Sequence, residues 1–198
     1  LMIYESLFSR DMALNPHPHM LEGYLVEDGG KRWTMKLRPD QWFHDGTPVL
    51  ARDCVASIKR WFARDPVATT IVGRLDALEA KDDKTIVWRF NKPFPFLPRA
   101  LCKTQATCAI MPERLCADPF KQAPECIGSG PFKWVANEHV VGSLAVMAKW
   151  EKYVPRQEKT DHRYGGYHVK LDRVEWRIMP DAATAANDAV KAKVKKVG

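Results

Sequence analysis

Strict alternation of hydrophobic and polar residues between Trp33 and Leu37 predicts a β-strand with one buried face. A polar break around Asp45-Gly46 follows, and its residue types are typical of a turn. Beyond the turn, apolar residues recur at a spacing of three and four, which predicts an amphipathic helix over residues 52–63. The chain therefore changes from strand to turn to helix within a short segment.

Three pairs of alternating segments predict β-hairpins, because turn residues separate the two members of each pair. The strand at 33–37 belongs to the first pair. The pairs are residues 22–26 with 32–38, 75–80 with 85–90, and 132–135 with 144–148. Another alternating segment, residues 171–179, predicts one more strand. We expect Trp33, Trp88 and Trp176 to lie in the core, because each alternates with other apolar residues.

Shorter segments complete the predicted order of elements. They are the end of a helix at residues 1–8, a short helix after the proline-rich residues 92–99, a brief strand at 109–111, a helix start at Pro112, a surface loop at 155–168 and an alanine-rich helix from Pro180-Asp181. Because the hairpins are separated by helices and not by regular βαβ crossovers, the predicted fold class is α+β (mixed α/β).

The composition indicates a packed globular chain. It has 198 residues, 45% of them hydrophobic, with seven Trp and eight Phe, which suffices for one large or two small domains. No run of about 18 apolar residues is present, so no transmembrane helix is predicted. The chain starts at Leu1 without a charged and then apolar leader, and we expect this start to be a cut in a longer protein.

The net charge of +7 does not predict a nucleic-acid site. Four lysines near the end of the chain supply much of it, namely Lys191, Lys193, Lys195 and Lys196. Elsewhere acidic and basic residues alternate, whereas phosphate binding requires a continuous basic surface. We therefore expect no nucleic-acid partner.

The five cysteines leave two alternatives open. They are Cys54, Cys102, Cys108, Cys116 and Cys126, and none of their spacings is typical of a zinc site. Four of them lie within residues 102–126, where an oxidising compartment would permit a disulfide, and simple burial is the other interpretation. The odd number leaves at least one thiol unpaired, for which Cys54 in the predicted helix is the candidate.

Candidate metal and catalytic residues are few. His17 and His19 have no evident third ligand, so no metal site is expected. His44 and Asp45 are adjacent on an extended segment and therefore project in opposite directions, unlike a catalytic pair. Ser129 lacks the frame of a nucleophile elbow. No glycine-rich loop joins a strand to a helix, so no nucleotide or other cofactor is expected.

Several sequence motifs add information on the family of the chain. Residues 37–53 read L-R-x-x-x-x-F-x-D-G-x-P-x-x-A-x-D, which resembles the signature segment of the extracytoplasmic solute-binding proteins of family 5. IYESLF near the start, IGSGPFKW and LDRVEWRIMPDAATAAN are similar to further motifs of this family, in the same order. The resemblance thus extends over most of the chain.

The resemblance implies a periplasmic-binding-protein type II architecture of three domains, in which lobes enclose a ligand by closing about a hinge. Residues 1–127 would form the small second domain with a short lead-in from the first, residues 128–198 part of the first domain, and the third domain would be absent. The chain would cross between domains at Gly128, Ser129, Gly130, Pro131 and Phe132. The glycines would absorb φ and ψ values closed to other residues, and a simple tight turn remains the alternative.

The function implied by the resemblance is binding and not catalysis. The chain would belong to the periplasmic component of an ABC importer, monomeric at full length, which delivers a peptide or related small solute to permease subunits in the membrane. The ligand-contacting residues are not assigned. One alternative is an interaction module of this family that lacks ligand binding, and another is a hydrolase that uses His44 or Ser129.

Overall fold

The computed structural model describes residues 2–179, 181 and 183. Its strands are β1 (Phe8–Arg10), β2 (Pro16–Pro18), β3 (Leu21–Glu27), β4 (Arg32–Leu37), β5 (Leu75–Ala80), β6 (Thr85–Phe90), β7 (Phe132–Trp134), β8 (Leu144–Lys149) and β9 (Arg173–Arg177). Its α-helices are α1 (Ala51–Phe62), α2 (Pro66–Val72) and α3 (Leu97–Leu101). Single 3₁₀ turns cover Asp28–Gly30, Glu113–Leu115 and Ala136–Glu138. The predicted mixture of helices and antiparallel hairpins is confirmed.

A four-stranded antiparallel sheet in the order β3-β4-β6-β5 forms the centre of residues 2–127. Trp33 of β4 lies opposite Trp88 of β6, and both indoles are buried as predicted. The amphipathic helix α1 packs against β5 and β6 and contributes Cys54, Ile58 and Trp61 to the core. The alternation of the strands and the helical spacing of α1 therefore meet in one core.

A three-stranded antiparallel sheet in the order β7-β8-β9 follows the crossing. The predicted hairpin and the following strand are confirmed, but the prediction that Trp176 lies in the core is wrong. Its side chain is 58% exposed, and Ile178 on the same side is 61% exposed. Alternation shows that one face of a strand is apolar, but no described residue covers this face of β9.

The helix end expected at residues 1–8 is also wrong, because residues 2–7 form no helix and lead into β1. The Ile110 backbone N–H donates to the Glu5 carbonyl at 2.9 Å, and the His19 N–H donates to the Leu7 carbonyl at 2.9 Å. These bonds to distant parts of the chain outweigh the local helical pattern. The brief strand expected at 109–111 is not formed. Ile110 makes only this one backbone hydrogen bond to Glu5, and the segment pairs with no strand among the described residues.

Two smaller differences concern helices. The helix expected to start at Pro112 is the 3₁₀ turn Glu113–Leu115, and α2 was not predicted. Asp65 begins α2 by accepting a hydrogen bond from the Val67 N–H, with proline at the first helical position. The alanine-rich helix expected from Pro180 lies outside the described residues.

All five thiols are free, which favours burial over a disulfide. Cys54 and Cys108 are completely enclosed, and burial raises the pKa of both thiols well above the ordinary value. The sequence correctly identified Cys54 as an unpaired core residue. Among the described residues, no helix has the length and apolar character needed to span a membrane.

Candidate functional site

The five residues of the expected crossing, 128–132, lie beside the first residues of the chain. The Gly130 N–H donates to the Ile3 carbonyl at 2.8 Å, and the Phe132 N–H donates to the Met2 carbonyl at 2.9 Å. The crossing therefore brings β7, which begins at Phe132, against the N-terminal segment. Two segments more than a hundred positions apart thus share one backbone hydrogen-bond pattern.

Glycine is required at positions 128 and 130 because backbones approach closely there. A Cβ atom at Gly128 would lie 2.1 Å from the Ile3 carbonyl oxygen, and one at Gly130 would lie 2.5 Å from the Met2 carbonyl oxygen. Neither glycine has a positive φ. A left-handed backbone is therefore not the reason for glycine at these positions, and the crossing between domains stays a prediction.

The imidazole of His44 binds the other side of the crossing. Its Nε2 lies 2.9 Å from the Gly130 carbonyl oxygen, and its Nδ1 accepts a weaker bond from the Gly128 N–H at 3.4 Å. The His44 backbone N–H also donates to the Gly128 carbonyl at 2.9 Å. Burial lowers the pKa of the imidazole, and this pattern requires the neutral ring with its proton on Nε2.

Asp45 takes no part in this contact. Its carboxylate accepts bonds from Thr47 and forms an ion pair with Arg114 at 3.1 Å. The side chains of His44 and Asp45 therefore have separate partners, as expected for neighbours on an extended segment. The pair holds the turn and the crossing and has no geometry for acid–base catalysis.

A buried ion pair lies next to the crossing. His19 Nε2 is 3.0 Å from Glu5 Oε1, and both side chains are only 2% exposed. Burial by itself raises the pKa of Glu5, but the hydrogen bond and charge of His19, with smaller contributions from Ser129 and Arg38, bring it below the ordinary value. The Glu5 carboxylate thus remains ionised inside the protein.

Ser129 points into the protein and towards this pair. It is 3% exposed, and its hydroxyl lies near enough to Glu5 to lower the pKa of that carboxyl. Its Oγ makes no hydrogen bond of normal geometry with any described residue. A buried hydroxyl beside a carboxylate, with no imidazole bonded to it, lacks the arrangement of an activated nucleophile.

The predicted surface loop at 155–168 is anchored more firmly than its composition indicates. Arg156 donates from Nη1 to the carbonyls of His19 and Leu21 at 3.0 and 2.8 Å, and its Nε bonds Glu158 at 2.9 Å. Arg38 donates to the same His19 carbonyl at 2.9 Å. Sequence reasoning missed Glu5, Arg38 and Arg156, because isolated charged residues carry no periodic signal.

His17 and His19 do not converge on one site. His17 Nε2 lies 2.8 Å from Asp11 and its ring stacks on Tyr164, whereas His19 points inward to Glu5. His17 in β2 and His19 just after it thus have different carboxylate partners. Within residues 2–179, 181 and 183, no three His, Cys, Asp or Glu side chains are grouped as metal ligands.

A cleft with a volume of 470 Å³ lies where the crossing meets the loop. Its lining residues are Met2, Pro131, Phe132, Thr160, His162, Arg163, Gly166, Tyr167, His168 and Val169. This volume is in the range of small-molecule sites. The cleft is thus formed jointly by the crossing and the loop at 155–168.

The fold is that of periplasmic binding proteins of type II. It superposes with a TM-score of 0.69 on the binding protein AgaA of A. tumefaciens in complex with agropinic acid, which is 25% identical, over 94% of this chain and 35% of that chain. NikA of Brucella suis gives a TM-score of 0.75 over 96% of this chain and 36% of that chain, at 20% identity, and supports the fold alone.

The chain belongs to the bacterial extracellular solute-binding proteins, family 5, because the middle-region profile of this family matches residues 15–195. A curated relative is the "Probable peptide ABC transporter periplasmic-binding protein y4tO" of Sinorhizobium fredii, which is 38% identical over 178 residues. That match covers 90% of this chain and 33% of the relative. The chain therefore spans about a third of the length of this relative.

Proposed function

We propose that this chain is part of the solute-binding component of an ABC importer and helps to enclose a peptide or related small solute between lobes. The family match over residues 15–195 carries the proposal. The geometry supports the proposal. The His44 ring bonds the Gly130 carbonyl, and among the described residues no base is hydrogen-bonded to the Ser129 hydroxyl, so neither side chain is placed for catalysis. Capture and release would require lobe movement and no chemical step.

The domain boundary that we propose lies at the crossing. Residues 1–127 form the small second domain with its lead-in, and residues 128–198 form part of the first domain. The support is the hydrogen bonding of residues 2 and 3 to residues 130 and 132, which joins the lead-in to the β7-β8-β9 sheet. A lead-in that returns to the first domain is expected to make such contacts.

The solute class that we propose first is peptides. An extended peptide is held through its backbone donors and acceptors, whatever its side chains are. The relative from S. fredii is described as a probable peptide-binding protein, whereas AgaA is described in complex with agropinic acid. Small polar solutes other than peptides therefore form the second arm of any binding test.

The partners that we propose are the permease subunits of the importer, on the extracytoplasmic side of the membrane. ATP would be hydrolysed by other subunits of the importer. We expect a monomer at full length, as the family resemblance implies. We expect no nucleic-acid partner, because the basic and acidic side chains interleave over the surface. Arg173, for example, binds both Glu138 and Glu175.

The test is calorimetric titration of the longest polypeptide that carries this sequence, with a mixture of short peptides and a set of opine-like and metal-chelate solutes. We expect saturable binding of one class and recovery of the solute unchanged by mass spectrometry. A solute that is cleaved, with cleavage lost on Ser129→Ala or His44→Ala, would establish the hydrolase alternative. Absence of binding by every class would support a non-transport interaction module.

A further inference from the structure

Two small cavities flank the buried pair of Glu5 and His19, each with a volume of 10 Å³. The Ser9 cavity is lined by Ser6, Phe8, Ser9, Arg10, His19, Cys102, Lys103, Thr107, Arg163 and Tyr167. The Gln41 cavity is lined by Glu5, Arg38, Asp40, Gln41, Trp42, Ser129, Lys152, Tyr153 and Val154. One cavity thus includes the histidine of the pair, and the other includes the carboxylate.

Each cavity is lined by side chains whose buried polar atoms have no hydrogen-bond partner among the described residues. In the Ser9 cavity these atoms are Ser9 Oγ, Arg10 Nε and His19 Nδ1. In the Gln41 cavity they are both polar atoms of the Gln41 amide and Ser129 Oγ. Ser9, His19, Gln41 and Ser129 are at most 5% exposed, so bulk water does not satisfy them. Leaving these buried polar atoms unpaired would destabilise the fold, because each loses its hydrogen bonds to water without a replacement.

The size and chemistry of the cavities select one ligand. A volume of roughly 10–15 Å³ accommodates a single water, which needs two to four polar partners, whereas cavities of apolar lining stay dry. We propose that each cavity holds one structural water, and that the two waters complete the hydrogen bonding around the buried ion pair. No larger solute fits either cavity.

In the Ser9 cavity, the donor or acceptor character of each lining side chain fixes how it bonds the water. His19 uses Nε2 for Glu5, which leaves Nδ1 for another partner. The Arg10 Nε–H can only donate, so the water accepts from it, and the Ser9 hydroxyl accepts or donates as required. The water thereby orients the imidazole that faces Glu5.

In the Gln41 cavity, the water joins three separate segments. Ser129 lies in the crossing, Gln41 in the segment after β4, and Glu5 in the N-terminal segment. A water that bonds the Gln41 amide and the Ser129 hydroxyl also lies beside the Glu5 carboxylate, which lines the same cavity. The crossing is then held by a water-mediated contact in addition to the direct bonds of His44 and Gly130.

A high-resolution crystal structure of the protein, combined with oxygen-17 relaxation dispersion in solution, tests this inference. We expect one ordered oxygen in each cavity, about 3 Å from at least two of the named atoms, and at least two long-lived waters in solution. An empty cavity, or a Gln41 amide bonded directly to Ser129, would overturn the inference for that cavity.

Substitutions in one cavity distinguish the two proposed waters, because the other cavity stays unchanged and serves as a control. Gln41→Leu should remove the water of the Gln41 cavity and keep that of the Ser9 cavity, so one fewer long-lived water is detected. If Gln41→Leu does not fold, Ser129→Ala should shorten the residence time of the same water by roughly tenfold. An unchanged residence time would contradict the proposal. Ser57→Ala is the matched control, since Ser57 is buried, bonds Met111 directly and lines neither cavity.

Discussion

At the scale of single residues, the crossing depends on glycines that leave room for a neighbouring backbone. The nearest atoms to a Cβ at Gly130 are the Met2 carbonyl oxygen and backbone atoms of Ile3. Backbone atoms move only with the whole segment, unlike the end of a flexible side chain. A methyl group there would therefore break the bonds between the crossing and the N-terminal segment.

We predict that Gly130→Ala lowers the free energy of unfolding by about 3 kcal/mol, as overpacking of a rigid site does. Urea denaturation followed by tryptophan fluorescence measures this change. Gly23→Ala is the control, because no atom lies within 4 Å of a Cβ at that position and φ is not positive. A loss of similar size in both variants would show that the close approach is not the cause.

The buried pair gives a prediction on pH dependence. The folded-state pKa of Glu5 is below its ordinary value, so its ionised form stabilises the fold above the ordinary pKa of about 4.3. That contribution is lost as the pH falls through the folded-state pKa. The charge on Glu5 thus supports the junction at neutral pH and stops doing so in acid.

We predict that Glu5→Gln lowers the free energy of unfolding by about 3 kcal/mol at pH 7, because His19 loses its buried partner. The difference between the two proteins should narrow at pH values below about 4.3. Denaturant titrations across this range measure it. A difference that stays constant with pH would contradict the ionised state of Glu5.

At the scale of elements, the start of α1 is held by one buried carboxylate. Asp53 Oδ2 accepts from the Leu50 N–H at 2.9 Å, and Oδ1 accepts from the Glu113 N–H at 2.8 Å. The carboxylate therefore joins the first turn of α1 to the 3₁₀ turn Glu113–Leu115. Both N–H groups would lose this partner if the carboxylate were removed.

We predict that Asp53→Ala lowers the free energy of unfolding by about 2 kcal/mol, since it leaves two backbone donors unpaired. Thermal and urea unfolding followed by circular dichroism measure the effect. Asp76→Ala on the exposed side of β5 should change stability by no more than about 0.5 kcal/mol. Equal effects of the two substitutions would argue against the role of Asp53.

Most elements follow from periodicity, because one core satisfies both the strand and the helix patterns. The hairpin of β5 and β6 and helix α1 are examples, since their apolar faces meet around Trp88. The non-helical course of residues 2–7 could not be predicted, because it depends on hydrogen bonds to Ile110 and His19. The exposure of Trp176 could not be predicted either, since alternation does not identify what covers a face.

The candidate site was predictable only in part, for a related reason. The residue types of Gly128 to Phe132 mark an unusual backbone position, and the structure shows close approach there. The partners that make the junction, Glu5, His19 and Arg156, lie far apart along the chain. Contacts between isolated charged residues leave no periodic pattern, so only the three-dimensional structure brings them together.

At the scale of the whole molecule, the fold has no disulfide to constrain it. The four thiols at positions 54, 102, 108 and 116 are buried, and burial raises the pKa of each above its ordinary value. Thiolate is the reactive form, so these groups are protected both by enclosure and by protonation. Cys126 is partly exposed.

We predict that a thiol reagent labels Cys126 rapidly in the native protein and the other four cysteines only after unfolding. Mass spectrometry of the labelled protein counts the modified thiols, and the fully unfolded protein should accept five labels. If the protein accepts fewer than five labels when it is unfolded without a reductant, it contains a disulfide, contrary to the structure.

The crossing and the loop at 155–168 meet the N-terminal part of the chain at a junction of backbone hydrogen bonds and buried charged side chains. Arg156 and Arg38 both donate to the His19 carbonyl, and the crossing pairs with residues 2 and 3.

Native mass spectrometry of the longest polypeptide that carries this sequence, purified without denaturation, tests solute binding most directly. We predict a bound small molecule or peptide that is released intact on gentle activation and rebinds when added back. A protein that carries no solute and binds none of the peptides or small polar solutes offered to it would contradict the proposed function.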